Sequence, residues 1–133
     1  MAVVSTESVP VKSEPDVVAV RRRVREVSAQ LGFSLVDQTK VITAASELAR
    51  NTIIYGGGGS MQVEALNGPR TGLRLTFEDK GPGIPDIDLA LRDGFTTGSG
   101  LGLGLGGSKR LVNEFEIVSR AGEGTRITIT RWK

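Results

Sequence analysis

The 133-residue sequence has no cysteine and no histidine. Without cysteine there are no disulfides, no thiolate metal sites and no thiol nucleophile. Without histidine there is no serine–histidine triad, no imidazole zinc site and no histidine to carry a phosphate. Aromatic residues are scarce: four phenylalanines, one tyrosine and one tryptophan. None interleaves with the basic cluster Arg21, Arg22, Arg23 and Arg25, so nucleic acid is not an expected partner. No apolar run approaches the roughly 18 residues of a membrane span, and no charged-then-apolar signal segment opens the chain. A cytoplasmic protein with no membrane partner is expected. The formal charge of +2, from 17 basic and 15 acidic residues, selects no partner.

Hydrophobic residues at 38% and charged residues at 24% describe an ordinary globular chain, expected to form one domain over residues 1–133. Glycine is abundant. Seventeen of the 18 lie from Gly56 onward, and nine fall between Gly81 and Gly107, which points to loops whose backbone approaches a ligand closely.

The hydrophobic pattern sets the element order. Ser8–Lys12 is β-prone, but Pro10 makes it an edge strand at best. Ser13 is a cap candidate, with Asp16 to return the bond and Pro15 suited to a first turn. Val17, Val20, Val24, Val27 and Leu31 form the stripe of that helix, and Gly32 is placed to end it. The arginines sit mostly off the stripe, as a solvated face or a docking patch. A second helix runs from Asp37, another cap candidate, to about Tyr55, with Val41, Ala44, Ala45, Leu48 and Thr52 on one face. Gly56–Gly59 stops it. Met61-Val63-Ala65 and Leu73-Leu75-Phe77 alternate around Asn67-Gly68-Pro69 as a hairpin. A short helix near Ile87–Leu91, a helix over about 106–113, and strands at Phe115-Ile117 and Ile127-Ile129 around Gly122-Glu123-Gly124 complete the chain. The expected fold is α+β, a two-layer sandwich with helices on one face of a mixed, mainly antiparallel sheet.

Three motifs carry chemistry. In the run Gly98–Gly107, Gly102, Gly104 and Gly107 fit a dinucleotide fingerprint, but no strand precedes them; a Walker loop fails because Ser108 stands before Lys109. What remains is an anion cradle of bare backbone N–H groups, or a flexible linker. Asp79-Lys80-Gly81-Pro82-Gly83 follows a strand directly. A strand-end carboxylate there can accept a hydrogen bond from an exocyclic amine, or the segment is a plain surface turn. Glu47 and Asn51, four apart, share a helix face beside the core stripe, as a hard-cation or polar-ligand site or a boundary hydrogen-bond pair.

In order and spacing, the helix with Glu47-x-x-x-Asn51, the strand ending in Asp79-x-Gly81-x-Gly83, the glycine run before a helix and the late Gly124-Thr125 resemble a known family. It is the GHKL, or Bergerat, ATP-binding fold shared by gyrase, Hsp90, histidine kinases and MutL. Within it the chain is similar to the stand-alone regulatory serine/threonine kinases of the anti-sigma-factor class, switch kinases of the bacterial stressosome among them. The likeness extends from about Val11 to Trp132 and includes Ser46–Asn51, Glu78–Ile87, Asp93–Thr97 and Lys109–Val112.

The resemblance implies ATP and Mg²⁺ as cofactors, with Asn51 as the metal ligand and Glu47 as the catalytic base. It implies Asp79 on the adenine amine with Thr125 in support, and Gly81 and Gly83 shaping the adenine wall. Thr97, Gly98, Ser99, Gly100, Gly102, Gly104 and Gly106 would form the lid over the phosphates. Implied partners are STAS-domain substrates in a stressosome and the regulatory domain of a PP2C-type phosphatase, in a partner switch controlling a sigma factor. The alternative is a non-catalytic module whose nucleotide only sets the shape its partners read. An ATPase clamp of the gyrase or MutL kind is not expected, since those carry a following transducer domain and this sequence stops at Lys133.

Overall fold

The computed structural model describes residues 2–84 and 105–133. In chain order these form β1 (Ala2–Val11), α1 (Glu14–Gln30), α2 (Leu35–Ile54), β2 (Gly59–Asn67), β3 (Gly72–Asp79), α3 (Leu105–Arg110), β4 (Glu114–Arg120) and β5 (Gly124–Trp132). The strands make one five-stranded sheet in the order β1-β2-β3-β5-β4. The expected α+β sandwich is present, but the sheet is not mixed: all four pairings among the described residues are antiparallel. Two of them, β2–β3 and β4–β5, are hairpins. Between β1 and β2 the chain goes out along α1 and back along α2, which also returns it antiparallel.

The burial pattern explains the two layers. Met61, Val63, Leu73, Leu75, Phe77, Ile127 and Ile129 alternate along three strands and are buried in one core with Val17, Val20, Val24, Val41, Ala44, Ala45 and Leu48 of the helices. Each large side chain so buried stabilises the fold by about 1.5–3 kcal/mol. The intervening positions, among them Gln62, Glu64, Arg74, Thr76, Glu78 and Thr128, face the other way and are polar. There Arg74 grips its cross-strand neighbour Glu64 with two bonds, at 2.9 and 3.1 Å.

Several element ends depart from expectation. β1 spans ten residues despite Pro10, because it is the sheet edge and an edge strand has one side with no rung to lose. Ser13 stands at the N-cap of α1 but makes no side-chain cap bond; Asp16 Oδ2 accepts instead from Lys12 N at 2.8 Å. The cap of α2 is Ser34, whose Oγ accepts from Asp37 N at 3.1 Å, so Asp37 lies inside the first turn and is not itself the cap. α3 stops at Arg110, where the chain turns so that Asn113 N can donate to Thr130 O at 2.9 Å. The arginine cluster is divided. Arg21 donates to Ser46 Oγ on α2 at 3.2 Å, while Arg23 pairs with Glu7 on β1 and with Glu26. The short helix expected near Ile87–Leu91 lies outside the described residues.

Candidate functional site

Sheet register assembles the site. Gly59 on β2, Asp79 on β3, Thr125 on β5 and Ser119 on β4 occupy one row across four strands. The last two turns of α2 pass over this end of the sheet and bring Asn51 and Tyr55 to the same crevice as Asp79, Gly83, Ile84, Leu105 and Thr125. Phe77 and Ile127, paired in the next inward row, also line it. The crevice thus has an apolar floor and polar groups of three kinds: the Asp79 carboxylate, the Asn51 carboxamide and the hydroxyls of Thr52, Tyr55 and Thr125. Its volume is about 30 Å³, room for a water but not a purine. To take a base, the crevice would have to widen.

Asp79 is held from two sides. Its Oδ1 accepts the Gly81 N–H at 2.9 Å, closing a turn on the carboxylate. Behind it lies Gly56, the residue that follows the C-cap of α2. A Cβ at Gly56 would fall 2.5 Å from Asp79 Oδ2, so only glycine lets the helix end come this close. Gly81 in turn abuts the Gly56 backbone. Gly83 has φ +83, and a Cβ there would fall 2.5 Å from the Arg120 carbonyl oxygen. Gly122 N donates to Pro82 O at 2.9 Å and Ile84 N to Ser119 Oγ at 2.7 Å. The segment after β3 is thus docked on the β4–β5 turn.

Glu47 stands one helical turn before Asn51 and is half-exposed, on the rim and not among the crevice-lining residues. Its Oε1 lies 3.3 Å from Arg50 Nη1. Gly106 is in α3, half-buried, one residue after the lining Leu105. The remaining lid positions, Thr97, Gly98, Ser99, Gly100, Gly102 and Gly104, lie outside the described residues. The structure therefore brings Asn51, Asp79, Gly81, Gly83 and Thr125 together, with Glu47 just outside. It adds Tyr55 and Ser119, which the sequence motifs do not single out. The signal for Ser119 is nonetheless there: in Phe115-x-Ile117-x-Ser119 a polar residue takes an inward position of an alternating strand.

A larger concavity, about 530 Å³, lies on the opposite, polar face of the sheet among Gln62, Thr76, Glu78, Arg126 and Thr128. We place the site in the smaller crevice, because there the strand-end carboxylate, the helix carboxamide and the close-packed glycines converge.

Residues 36–133 match the family model of histidine kinase-, DNA gyrase B- and HSP90-like ATPases. The chain is 48% identical over 125 residues to the serine/threonine-protein kinase RsbT of Bacillus subtilis, covering 93% of this chain and 94% of that one. It is 30% identical to an anti-sigma F factor of Thermoanaerobacter, over 84% and 82% of the two chains. Among solved structures, the catalytic domain of the histidine kinase ThkA superposes with a TM-score of 0.60 over 98% of this chain and 97% of that one, at 15% identity. The mycobacterial sensor histidine kinase MprB gives 0.54 over 96% and 97%, at 21% identity. At such identities the structures speak for the fold alone.

Proposed function

Because the chain belongs to the histidine kinase-, DNA gyrase B- and HSP90-like ATPase family, we propose that it is an ATP- and Mg²⁺-dependent protein serine/threonine kinase acting on STAS-domain partners of a stressosome. Once released from them, it binds and activates a PP2C-type phosphatase through that protein's regulatory domain, in a partner switch governing a sigma factor. The observation that carries the reading is the meeting of Asn51, Asp79 and Thr125 in one crevice, with Glu47 a helical turn away.

Phosphoryl transfer asks a protein for positioning and charge stabilisation more than for covalent chemistry. In this reading Asp79 accepts the adenine amine, Thr125 supports it, and Gly81 and Gly83 shape the wall. Mg²⁺ takes few protein oxygens and keeps waters and phosphate oxygens for the rest, which suits a single carboxamide such as Asn51. When bound, the ion supplies neutralisation of the phosphate charge. Thr97, Gly98, Ser99, Gly100, Gly102, Gly104 and Gly106 would hold the phosphates, since bare backbone N–H groups suit an anion. Glu47 takes the proton of the partner's hydroxyl as that oxygen bonds to the γ-phosphorus, and the bond to the β–γ bridging oxygen breaks to release ADP. Among the described residues no helix is long and apolar enough to cross a membrane.

A second reading, a nucleotide-dependent binding module without catalysis, has one observation in its favour. Arg50 lies 3.3 Å from Glu47, so the proposed base is already engaged. Transfer of label from γ-labelled ATP to a purified STAS partner separates the two. Label on a partner serine or threonine is expected. Its absence at saturating Mg²⁺-ATP, with partner bound, would leave the binding module standing.

A further inference from the structure

Ser119 stands two strands from Asp79, and its hydroxyl joins three polar groups. Its Oγ accepts the Ile84 backbone N–H at 2.7 Å. It lies 2.9 Å from Thr125 Oγ1 and 3.4 Å from the Gly124 carbonyl oxygen. A hydroxyl has one proton and two lone pairs. The Ile84 bond uses one lone pair, so the Ser119 proton goes either to Thr125 or to Gly124. The Thr125 contact is the one near the usual O–H···O length. When Ser119 donates to Thr125, the proton of Thr125 itself is released to point into the crevice. When it donates to Gly124, Thr125 must turn its proton back onto Ser119 and shows the crevice only lone pairs.

We propose that Ser119 is a specificity-determining positioning residue: by donating to Thr125, it makes the Thr125 hydroxyl a donor toward the nucleobase. Asp79 and Thr125 are cross-strand neighbours lining the same crevice. An ionised carboxylate only accepts, so the two present an acceptor beside a donor. Adenine offers the complement, an exocyclic amine donor beside the N1 acceptor. Guanine offers the reverse, O6 beside an N1 proton, and is refused at both positions. This deepens the proposed function and rests on the crevice being the adenine site.

The test compares Mg²⁺-ATP with Mg²⁺-1-deaza-ATP, which lacks the N1 lone pair, by calorimetry on the full chain. The wild type should favour ATP by about fivefold, the worth of one neutral hydrogen bond. Ser119→Ala should bring that ratio close to one and raise affinity for GTP relative to ATP, while Ser119→Thr, which keeps a hydroxyl, restores the ratio. Thr125→Val leaves the Ile84 bond untouched and should also abolish the ratio. A Ser119→Ala variant that weakens both nucleotides equally would make Ser119 a strut for Ile84 and overturn the proposal. So would a Thr125→Val variant that keeps the wild-type ratio. Asp79→Asn separates the two levels. If it weakens ATP binding while the wild type fails to distinguish the nucleotides, the adenine site stands and the relay falls; if it leaves ATP affinity unchanged, the adenine site itself falls.

Discussion

Arg131 on β5 places its Nη2 2.6 Å from Asp37 Oδ1 in the first turn of α2, across 94 residues of sequence. Its Nη1 also donates to Leu111 O, just past α3, at 3.2 Å. One guanidinium therefore ties together the far end of the long helix, the last strand and the segment leading from α3 into β4. The Arg131 hydrogen bond holds the Asp37 carboxyl below its ordinary 3.8. A carboxyl depressed in the folded state stabilises above its unfolded pKa, and the gain fades as pH falls through the folded value. Asp37→Asn should cost about 1 kcal/mol at pH 7, since the pair is partly exposed. The difference from wild type should vanish as pH falls well below 3.8. Denaturant melts at pH 7 and at steps down to about pH 2 check both halves.

Gly56→Ala tests the close approach of α2 to Asp79. Gly56 is not among the positive-φ glycines, so its backbone conformation is open to alanine; the constraint is the Asp79 carboxylate against its Cα. Alanine there should displace Asp79 and cut ATP affinity at least tenfold, with the variant still folded. Gly107→Ala is the control. Among the described residues a Cβ there meets nothing within 4 Å, and helix propensity predicts a gain of about 0.5–1 kcal/mol with nucleotide affinity unchanged. Calorimetry beside thermal melts reads both.

Periodicity made the two-layer fold legible: the valine stripe of α1, the Val41–Thr52 face of α2 and the alternation around Asn67-Gly68-Pro69 all reappear as buried positions. Element ends were less legible because tertiary contacts set them. Asp37 has the chemistry of a cap, but Ser34 caps while Asp37 bonds Arg131, a partner local patterning does not reveal. In the site, Asp79 and Asn51 could be singled out from their places at a strand end and on a helix face. Tyr55 and Ser119 could not be assigned in that way. Tyr55 enters the crevice by the pitch of α2, and Ser119 by the register that sets β4 beside β5.

Asp79→Asn isolates the carboxylate. Asparagine can keep the Gly81 bond through its own Oδ1, so the turn survives. Its amide nitrogen then faces the adenine amine, donor against donor. The expected loss of ATP affinity is about 10- to 100-fold, that of a charge-assisted bond of about 1.5–3 kcal/mol, with transfer abolished and the melting temperature little changed. Unchanged affinity in calorimetry would take Asp79 out of the base-binding site.

Glu47 and Asn51 stand one helical turn apart, and their variants should fail in different ways. Asn51 lines the crevice; Glu47 stands outside its lining, half-exposed beside Arg50. Asn51→Ala should therefore damage Mg²⁺-ATP binding itself, because it removes the carboxamide oxygen proposed to hold the ion. Glu47→Ala should leave Mg²⁺-ATP affinity within a few-fold and lower single-turnover transfer by about 10²–10⁴, the usual worth of a general base. The Arg50 contact sharpens the expectation. If Arg50 restrains the base in the resting protein, Arg50→Ala should retain transfer, whereas a strut role for the pair predicts that Arg50→Ala and Glu47→Ala lose it alike. Nucleotide affinity and single-turnover rate, measured on all three variants with the same partner, decide the assignment. Equal loss of affinity in Glu47→Ala and Asn51→Ala would make the glutamate a metal ligand or a strut. Wild-type transfer by Glu47→Ala would leave catalysis to positioning alone.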